Sequence, residues 1–304
     1  MKNIFLTIDS GGSKTKFVIW DDIGKNVFEK TTIGFGLAED VDTIHPELQQ
    51  NLEEINRTYQ IDAIACNLGG KNKTQITNTI ISVFPDAKIN VFRESEGLIG
   101  ITLCEKTQSQ IALLVGTGSI AIAPYHDKAI ICGGWGANIS DKGSGYDLGL
   151  KAICSSLEQI DGTEPMSELA KHITGVTTSP GLLSVSEYCA LRDKIRANIF
   201  PLTRAHIAEY AKIVSNYAKQ GDPLALKLLE QTGNDLANLA MQTANKINNP
   251  IQRIVVTGGM VNSKQYWCES FQEKIQREHN ISEVVYLPDG ISDAMYTIVK
   301  NLIK

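Results

Sequence analysis

The predicted secondary structure of this chain runs through one order of elements twice, and that order limits the folds it can adopt. Apolar runs predict three strands at the N-terminus, followed by helix, strand, helix, strand and helix up to about residue 105. The pattern restarts with a strand at 110–115 and ends with a helix near residue 303, although no stretch of sequence is repeated. Strands that alternate with helices form sheets covered by helices, so we predict two similar α/β domains.

We place the domain boundary after the first copy of this pattern. The N-terminal domain is predicted to span 1–107 and the C-terminal domain 108–304, with the final helix, about 291–304, packing back on the N-terminal domain. Helical spacing predicts a helical insertion at about 160–248 within the second copy. Glycine-rich turns follow strands in both copies, and ligands of α/β sheets bind at the carboxyl ends of strands. We therefore expect the active site in the cleft between the two domains.

The first hairpin contains a candidate phosphate-binding turn. An apolar run at 4–8 ends at Asp9, and a polar turn leads into a second β-prone run at 17–20. Small residues in such a turn leave backbone N–H groups free to face phosphate oxygens, and Asp9 could hold a hydrated Mg²⁺ beside them. The alternative is an ordinary hairpin turn with a solvated aspartate. The candidate phosphate-binding residues are Gly11, Gly12, Ser13, Lys14 and Thr15.

Two further glycine turns follow predicted strands of the second domain. The strand at 253–257 ends at Gly258 and Gly259, where the backbone could approach a flat ring such as adenine. A tight turn from strand to helix is the alternative there. The strand at 110–115 leads into a turn that we predict to be a second phosphate-binding hairpin, formed by Gly116, Thr117 and Gly118.

Two nucleotide-binding motifs that resemble these turns are disfavoured. A Walker P-loop needs Gly before Lys and a helix afterwards, whereas Ser13 precedes Lys14 and β-branched residues follow. The dinucleotide-binding fingerprint must open a helix, whereas the residues after Gly118 continue as strand. Phosphate-binding hairpins fit both turns better.

Charge and composition exclude several classes of partner. The formal net charge is −5 and no basic block occurs, which argues against nucleic acid and anionic membranes as partners. No apolar run approaches the ~20 residues that span a bilayer, and the N-terminus enters a strand at once, without a signal peptide. The cysteines are scattered without metal-type spacing, which predicts buried, reduced thiols in a cytoplasmic protein.

One loop narrows the interpretation to a family. The segment 133–149, GGWGANISDKGSGYDLG, resembles the GGWG…GDEGSGYDIG signature of the N-acetylglucosamine kinase-like branch of the BadF/BadG/BcrA/BcrD ATPase family. Asp9 and the three glycine turns also occur in the order found in the sugar kinase, hsp70 and actin superfamily. The resemblance spans nearly the whole chain. It implies two ribonuclease-H-like domains, and ATP-dependent phosphorylation of an amino sugar hydroxyl with Mg²⁺ in a homodimer.

The resemblance also implies roles for individual residues. Asp9 would position Mg²⁺ through water, and a carboxylate after the strand at 89–92 would take the proton of the sugar hydroxyl or orient it. The family has Asp at that position, whereas this chain has Glu94, with Glu96 as the second choice. The alternative for Glu94 is a solvated residue in the first turn of a helix. The predicted sugar-binding residues are Gly36, Gly69, Gly70, Trp135, Gly136 and Asp141.

The chain departs from the family pattern in ways that leave alternatives open. The loop 34–38 lacks the family's sugar-binding Asn, and Lys142 replaces an acidic residue, which would suit an acidic sugar such as a muramic acid derivative. Trp135 could stack on a sugar or lie in the core beneath its loop. A catalytically weakened nucleotide or sugar sensor is one alternative function. An ATPase activator of a dehydratase is disfavoured, because such activators hold an iron–sulfur cluster with closely spaced cysteines, whereas this chain has no CxxC or CxxxC motif and its nearest cysteines are Cys132 and Cys154.

Overall fold

A computed structural model describes most of the chain. The described residues are 3–11, 14–35, 46–68, 73–93, 109–125, 128–136, 139–162, 164–247 and 250–303. By their contacts they divide into two compact units. The first unit comprises Met1–Gln108, Ile122–Ala129 and Asp289–Lys304, and the second comprises Ser109–Ala121 and Ile130–Pro288.

The first sheet has five strands in the order β3-β2-β1-β4-β5. Strand β1 pairs antiparallel with β2 and parallel with β4, and β4 pairs parallel with β5. This confirms the predicted N-terminal hairpin. The elements are β1 (Phe5–Ser10), β2 (Lys14–Trp20), β3 (Asn26–Ile33), α1 (Pro46–Thr58), β4 (Ala63–Leu68), α2 (Lys73–Val83) and β5 (Lys88–Arg93).

The second sheet repeats this arrangement in the order β10-β9-β6-β7-β8. Strand β6 takes the place of β1, because it lies between the second strand of its own hairpin, β7, and the parallel strand β9. The two sheets therefore share the ribonuclease-H-like topology, as predicted. The strands are β6 (Gln110–Val115), β7 (Ser119–Tyr125), β8 (Lys128–Gly133), β9 (Arg253–Thr257) and β10 (Glu283–Leu287).

Helices connect β8 to β9 and follow both β9 and β10. Side-chain caps begin several of them: Ser144 accepts from the backbone of Asp147, and Asp222 accepts from the backbone of Ala225. None of the helices within the described ranges is long and apolar enough to cross a membrane. The helices are α3 (Gly145–Ile160), α4 (Glu168–Thr174), α5 (Val185–Ile199), α6 (Arg204–Lys219), α7 (Pro223–Ala244), α8 (Cys268–Glu278) and α9 (Gly290–Asn301), with a 3₁₀ segment at Gly259–Tyr266.

Apolar strands form the cores of both sheets. Every residue of β4 and of β6 is buried, which agrees with the continuous apolar pattern of strands covered on both faces. Helix α9 lies against β1 and β4 in the first unit. The prediction of buried thiols is wrong in part, because Cys154 is exposed and Cys189 and Cys268 are half-buried, whereas Cys66 and Cys132 are buried. The helix predicted at 95–105 lies outside the described residues.

Candidate active site

The first candidate turn closes the hairpin between β1 and β2. The backbone N–H of Gly11 donates to the carbonyl of Lys14 over 3.0 Å, and the hydroxyls of Ser10 and Thr15 lie 2.9 Å apart. Thr15 is fully buried and its hydroxyl also accepts from the backbone N–H of Phe35. Gly11, Lys14 and Thr15 thus flank the turn at the end of β1, while Gly12 and Ser13 lie outside the described residues.

Asp9 lies at the carboxyl end of β1, beside Asn67 of β4 in the parallel register. The Nδ2 atom of Asn67 donates to Oδ1 of Asp9 over 2.7 Å. Burial raises the pKa of Asp9, and the Asn67 hydrogen bond and the charges of Lys14 and Lys16 oppose that rise. Asn67 is 1% exposed, and no described residue donates to its Oδ1 atom. This corner of the sheet therefore holds a half-buried carboxylate next to a buried amide oxygen that has free acceptor capacity among the described residues.

Charged side chains surround Asp9 within the same unit. Lys16, opposite Asp9 on β2, forms ion pairs with Glu29 at 3.1 Å and Asp289 at 3.7 Å. Asp289 precedes helix α9, and its negative charge adds to the rise in the pKa of Asp9. Lys16 therefore offsets part of the negative charge of the carboxylates at and around Asp9.

The second candidate turn joins β6 to β7. The N–H of Gly116 donates to the carbonyl of Gly118 over 2.9 Å, and the N–H of Gly145 donates to the carbonyl of Gly116 over 2.8 Å. The first turn of α3 is thereby fixed against the glycine turn. A Cβ atom added to Gly118 would lie 2.7 Å from Oδ2 of Asp141, so only glycine allows this carboxylate to approach the turn so closely.

Asp141 is the buried carboxylate of the second unit. It is 3% exposed, and its backbone has a φ of 59°. Its Oδ1 atom accepts from the N–H of Gly136 at 3.2 Å, and its Oδ2 atom lies 3.4 Å from Nη2 of Arg204. Burial raises the pKa of Asp141, and the bond from Gly136 and the charge of Arg204 oppose this. The structure thus brings Gly136, Asp141 and the Gly118 turn together.

Trp135 lies apart from this group. Its side chain is 76% exposed, which excludes the alternative of a core tryptophan. It lines a pocket of about 230 Å³ together with Lys142 and residues of α7, whereas Asp141 is not part of that lining. The 133–142 loop therefore presents Trp135 and Asp141 to different surroundings within the second unit.

Lys142 takes part in an ion-pair network rather than standing alone. Its Nζ atom lies 3.3 Å from Oδ1 of Asp147. The other oxygen of Asp147 accepts from Lys151, which also pairs with Asp235. Asp147 therefore offsets part of the positive charge of Lys142, whose side chain is 66% exposed.

The third glycine turn follows β9. Gly258 has a φ of 107°, and a Cβ atom there would lie 2.6 Å from the carbonyl oxygen of Val115. The close packing of β9 against β6 therefore explains why residue 258 is glycine, and no ligand is needed for that explanation. This favours the interpretation of a tight turn at Gly258. Gly259 has open space where its side chain would be, so a ligand can approach the backbone there.

Glu94 and Glu96, the candidate bases, lie outside the described residues, as do the predicted sugar-binding residues Gly36, Gly69 and Gly70. Asn67, Asp289 and Arg204 were missed by the sequence analysis. The signal for Asn67 was an amide at the end of an otherwise apolar strand, whereas nothing local marked Asp289 or Arg204.

Comparison with solved structures shows which class of proteins shares this fold. The structure superposes on a candidate N-acetylglucosamine kinase from Chromobacterium violaceum with a TM-score of 0.69, at 20% identity and covering 99% of both chains. It superposes on a ROK family glucokinase from Streptomyces griseus, solved with glucose and AMPPNP, with a TM-score of 0.62, at 14% identity and covering 99% of this chain and 100% of that one. The protein thus has the fold of the sugar kinases.

The sequence identifies the family within that class. The BadF/BadG/BcrA/BcrD ATPase family profile matches residues 6–295, so the chain belongs to this family. Over 279 residues the chain is 25% identical to the N-acetylmuramic acid/N-acetylglucosamine kinase of Clostridium acetobutylicum, an alignment that covers 88% of each protein. The family predicted from the 133–149 loop is confirmed.

Proposed function

We propose that this protein transfers the γ-phosphoryl group of ATP to a hydroxyl group of an amino sugar. The observation that carries the proposal is the half-buried Asp9, hydrogen-bonded to Asn67 at the carboxyl end of β1 beside a glycine turn. Burial of part of a carboxylate costs free energy unless a cation compensates its charge. Membership of an ATPase family and relatedness to an amino sugar kinase support the same reaction.

The residues around Asp9 fit Mg²⁺. Mg²⁺ prefers oxygen ligands and is usually held by one or two carboxylates together with water and phosphate oxygens. Asp9 supplies a carboxylate, and Asn67 supplies an amide oxygen with no donor among the described residues. In the described ranges no three His, Cys, Asp or Glu side chains form a metal cluster. When bound, Mg²⁺ neutralises charge on the phosphates during transfer.

The chain's own residues would bind and orient the reactants. We propose that the turns at Gly11 and at Gly116–Gly118 hold the phosphates of ATP, and that Gly259 allows the adenine ring to approach. Asp141 and Gly136 would contact the sugar, and Trp135, which lines a different pocket, is the alternative contact through stacking on an apolar sugar face. Glu94 would accept the proton of the attacking hydroxyl, with Glu96 as the alternative.

The proposal also names the sugars that we expect as substrates. We propose N-acetylglucosamine, glucosamine or N-acetylmuramic acid, because the Clostridium relative is named for the first and the last of these. Lys142 was expected to suit an acidic sugar, but Asp147 already offsets its charge. We therefore expect turnover of neutral and acidic amino sugars to differ little between Lys142→Ala and the unaltered protein.

A coupled assay of ADP release across these sugars and glucose tests the function. Glu94→Gln should lower kcat by at least about 100-fold if Glu94 is the base, while Glu96→Gln serves as the matched control. Full turnover by Glu94→Gln would exclude Glu94 as the base. ATP binding without turnover of any sugar would instead favour a sensor.

We further propose a homodimer, as the family resemblance implies. Light scattering after size-exclusion chromatography would give a mass near 33.3 kDa for a monomer and twice that for a dimer.

A further inference from the structure

Arg204 lies beside the second glycine turn, although it comes from a distant part of the sequence. It is the first residue of α6, and its Nη2 atom lies 3.4 Å from Oδ2 of Asp141. The same nitrogen lies 3.2 Å from the position that a Cβ atom would take on Gly118. A guanidinium group therefore faces the turn directly, within the second unit.

The hydrogen-bonding capacity of Arg204 is largely unused. A guanidinium carries five N–H donors, and a charge-assisted bond to a carboxylate is normally about 2.7–2.9 Å long. The 3.4 Å contact with Asp141 is longer than this, and the buried Nε atom has no partner among the described residues. A buried donor without an acceptor is costly, which makes the site receptive to an anion.

We propose that Arg204 is an anion-binding residue, which contacts a phosphate group of the nucleotide held at the Gly116–Gly118 turn. Asp141 keeps the guanidinium against the turn, and the planar donor face that Asp141 does not use binds phosphate oxygens. This inference rests on the proposed function, since it assigns the anion to the nucleotide. The competing role is structural, with Arg204 serving only to hold Asp141.

Calorimetric titration with ATP and with adenosine tests the proposal. Arg204→Gln should weaken ATP binding about tenfold, as expected for loss of a charge-assisted hydrogen bond, and should leave adenosine binding unchanged. Arg204→Lys should retain most of the ATP affinity because it keeps the charge. Arg192→Gln, on the exposed face of α5 beside Asp193, is the matched control and should bind ATP like the unaltered protein.

A second variant separates the two roles. Asp141→Asn keeps a side-chain oxygen that can accept from Arg204 and hold it at the turn, but removes the competing negative charge, so ATP affinity should be retained or increased. Loss of ATP affinity in Asp141→Asn, or ATP affinity within twofold of the unaltered protein in Arg204→Gln, would overturn the proposal. If no sugar is phosphorylated but ATP binding depends on Arg204, the proposed function fails and the assignment of Arg204 stands.

Discussion

Gly149 offers a sharp test of how the helices of the second unit are packed. It lies on α3, and a Cβ atom there would be 1.9 Å from the backbone carbonyl oxygen of Ile207 on α6. Carbon and oxygen atoms in contact normally lie about 3.5 Å apart, so Gly149→Ala must separate the two helices by about 1.5 Å. The obstacle is backbone rather than a flexible side chain, so rotamer changes cannot relieve it.

Two effects of Gly149→Ala oppose each other, and their magnitudes decide whether the free energy of unfolding rises or falls. Alanine in a helix interior is more favourable than glycine by about 1 kcal/mol. Overpacking in a close-packed core costs about 1–3 kcal/mol, and more where backbone must move. We therefore expect a net loss of about 2 kcal/mol in the free energy of unfolding.

Urea unfolding measures this loss. Trp267, which is fully buried in the second unit, reports the transition by fluorescence, and circular dichroism follows the helices. Leu150→Ala is the matched control, because Leu150 is the next residue of α3 and is exposed. Because α6 begins at Arg204, Gly149→Ala should also weaken ATP binding. Stability equal to or above that of the unaltered protein would refute the close crossing of α3 and α6.

Two further predictions concern the corner around Asp9. Because burial raises the pKa of Asp9 above its usual 3.8, the folded protein loses stability as pH rises from about 4 through the raised pKa. Asp9→Asn should therefore melt at a higher temperature than the unaltered protein at pH 8 in EDTA, and the difference in melting temperature should shrink towards pH 4. The same variant should lose Mg²⁺-dependent turnover. An equal melting temperature at pH 8 would contradict the stability prediction. Asn67→Leu removes the hydrogen-bond donor to Asp9, so turnover should fall about tenfold at pH 6 and by less at pH 8.5. An equal loss of turnover at both pH values would argue against the view that Asn67 acts by holding Asp9 ionised.

Much of the fold could be predicted because its signals are local. The strands at Gln110–Val115 and Arg253–Thr257 lie where apolar runs predicted them. The hairpin after Asp9 followed from two β-prone runs joined by a glycine turn, since turn chemistry depends on a few neighbouring residues.

The candidate site was predictable only in part. Asp9, Gly118 and Asp141 were selected as strand ends, turns or motif residues, and the structure describes their surroundings. The partners of these residues were not predictable: Asn67 meets Asp9 across 58 positions, and Arg204 meets Asp141 across 63 positions. Such pairs depend on strand register and helix crossing rather than on any local pattern.

The sequence alone determined the repeated order of strands and helices, the glycine turns and the family, because each of these depends on short stretches of neighbouring residues. The tertiary structure decided which charges face each other, why glycine is favoured at positions 118 and 149, and that Trp135 is exposed. Those features arise from close packing between segments far apart in the chain, where the position of one backbone sets the space left for another.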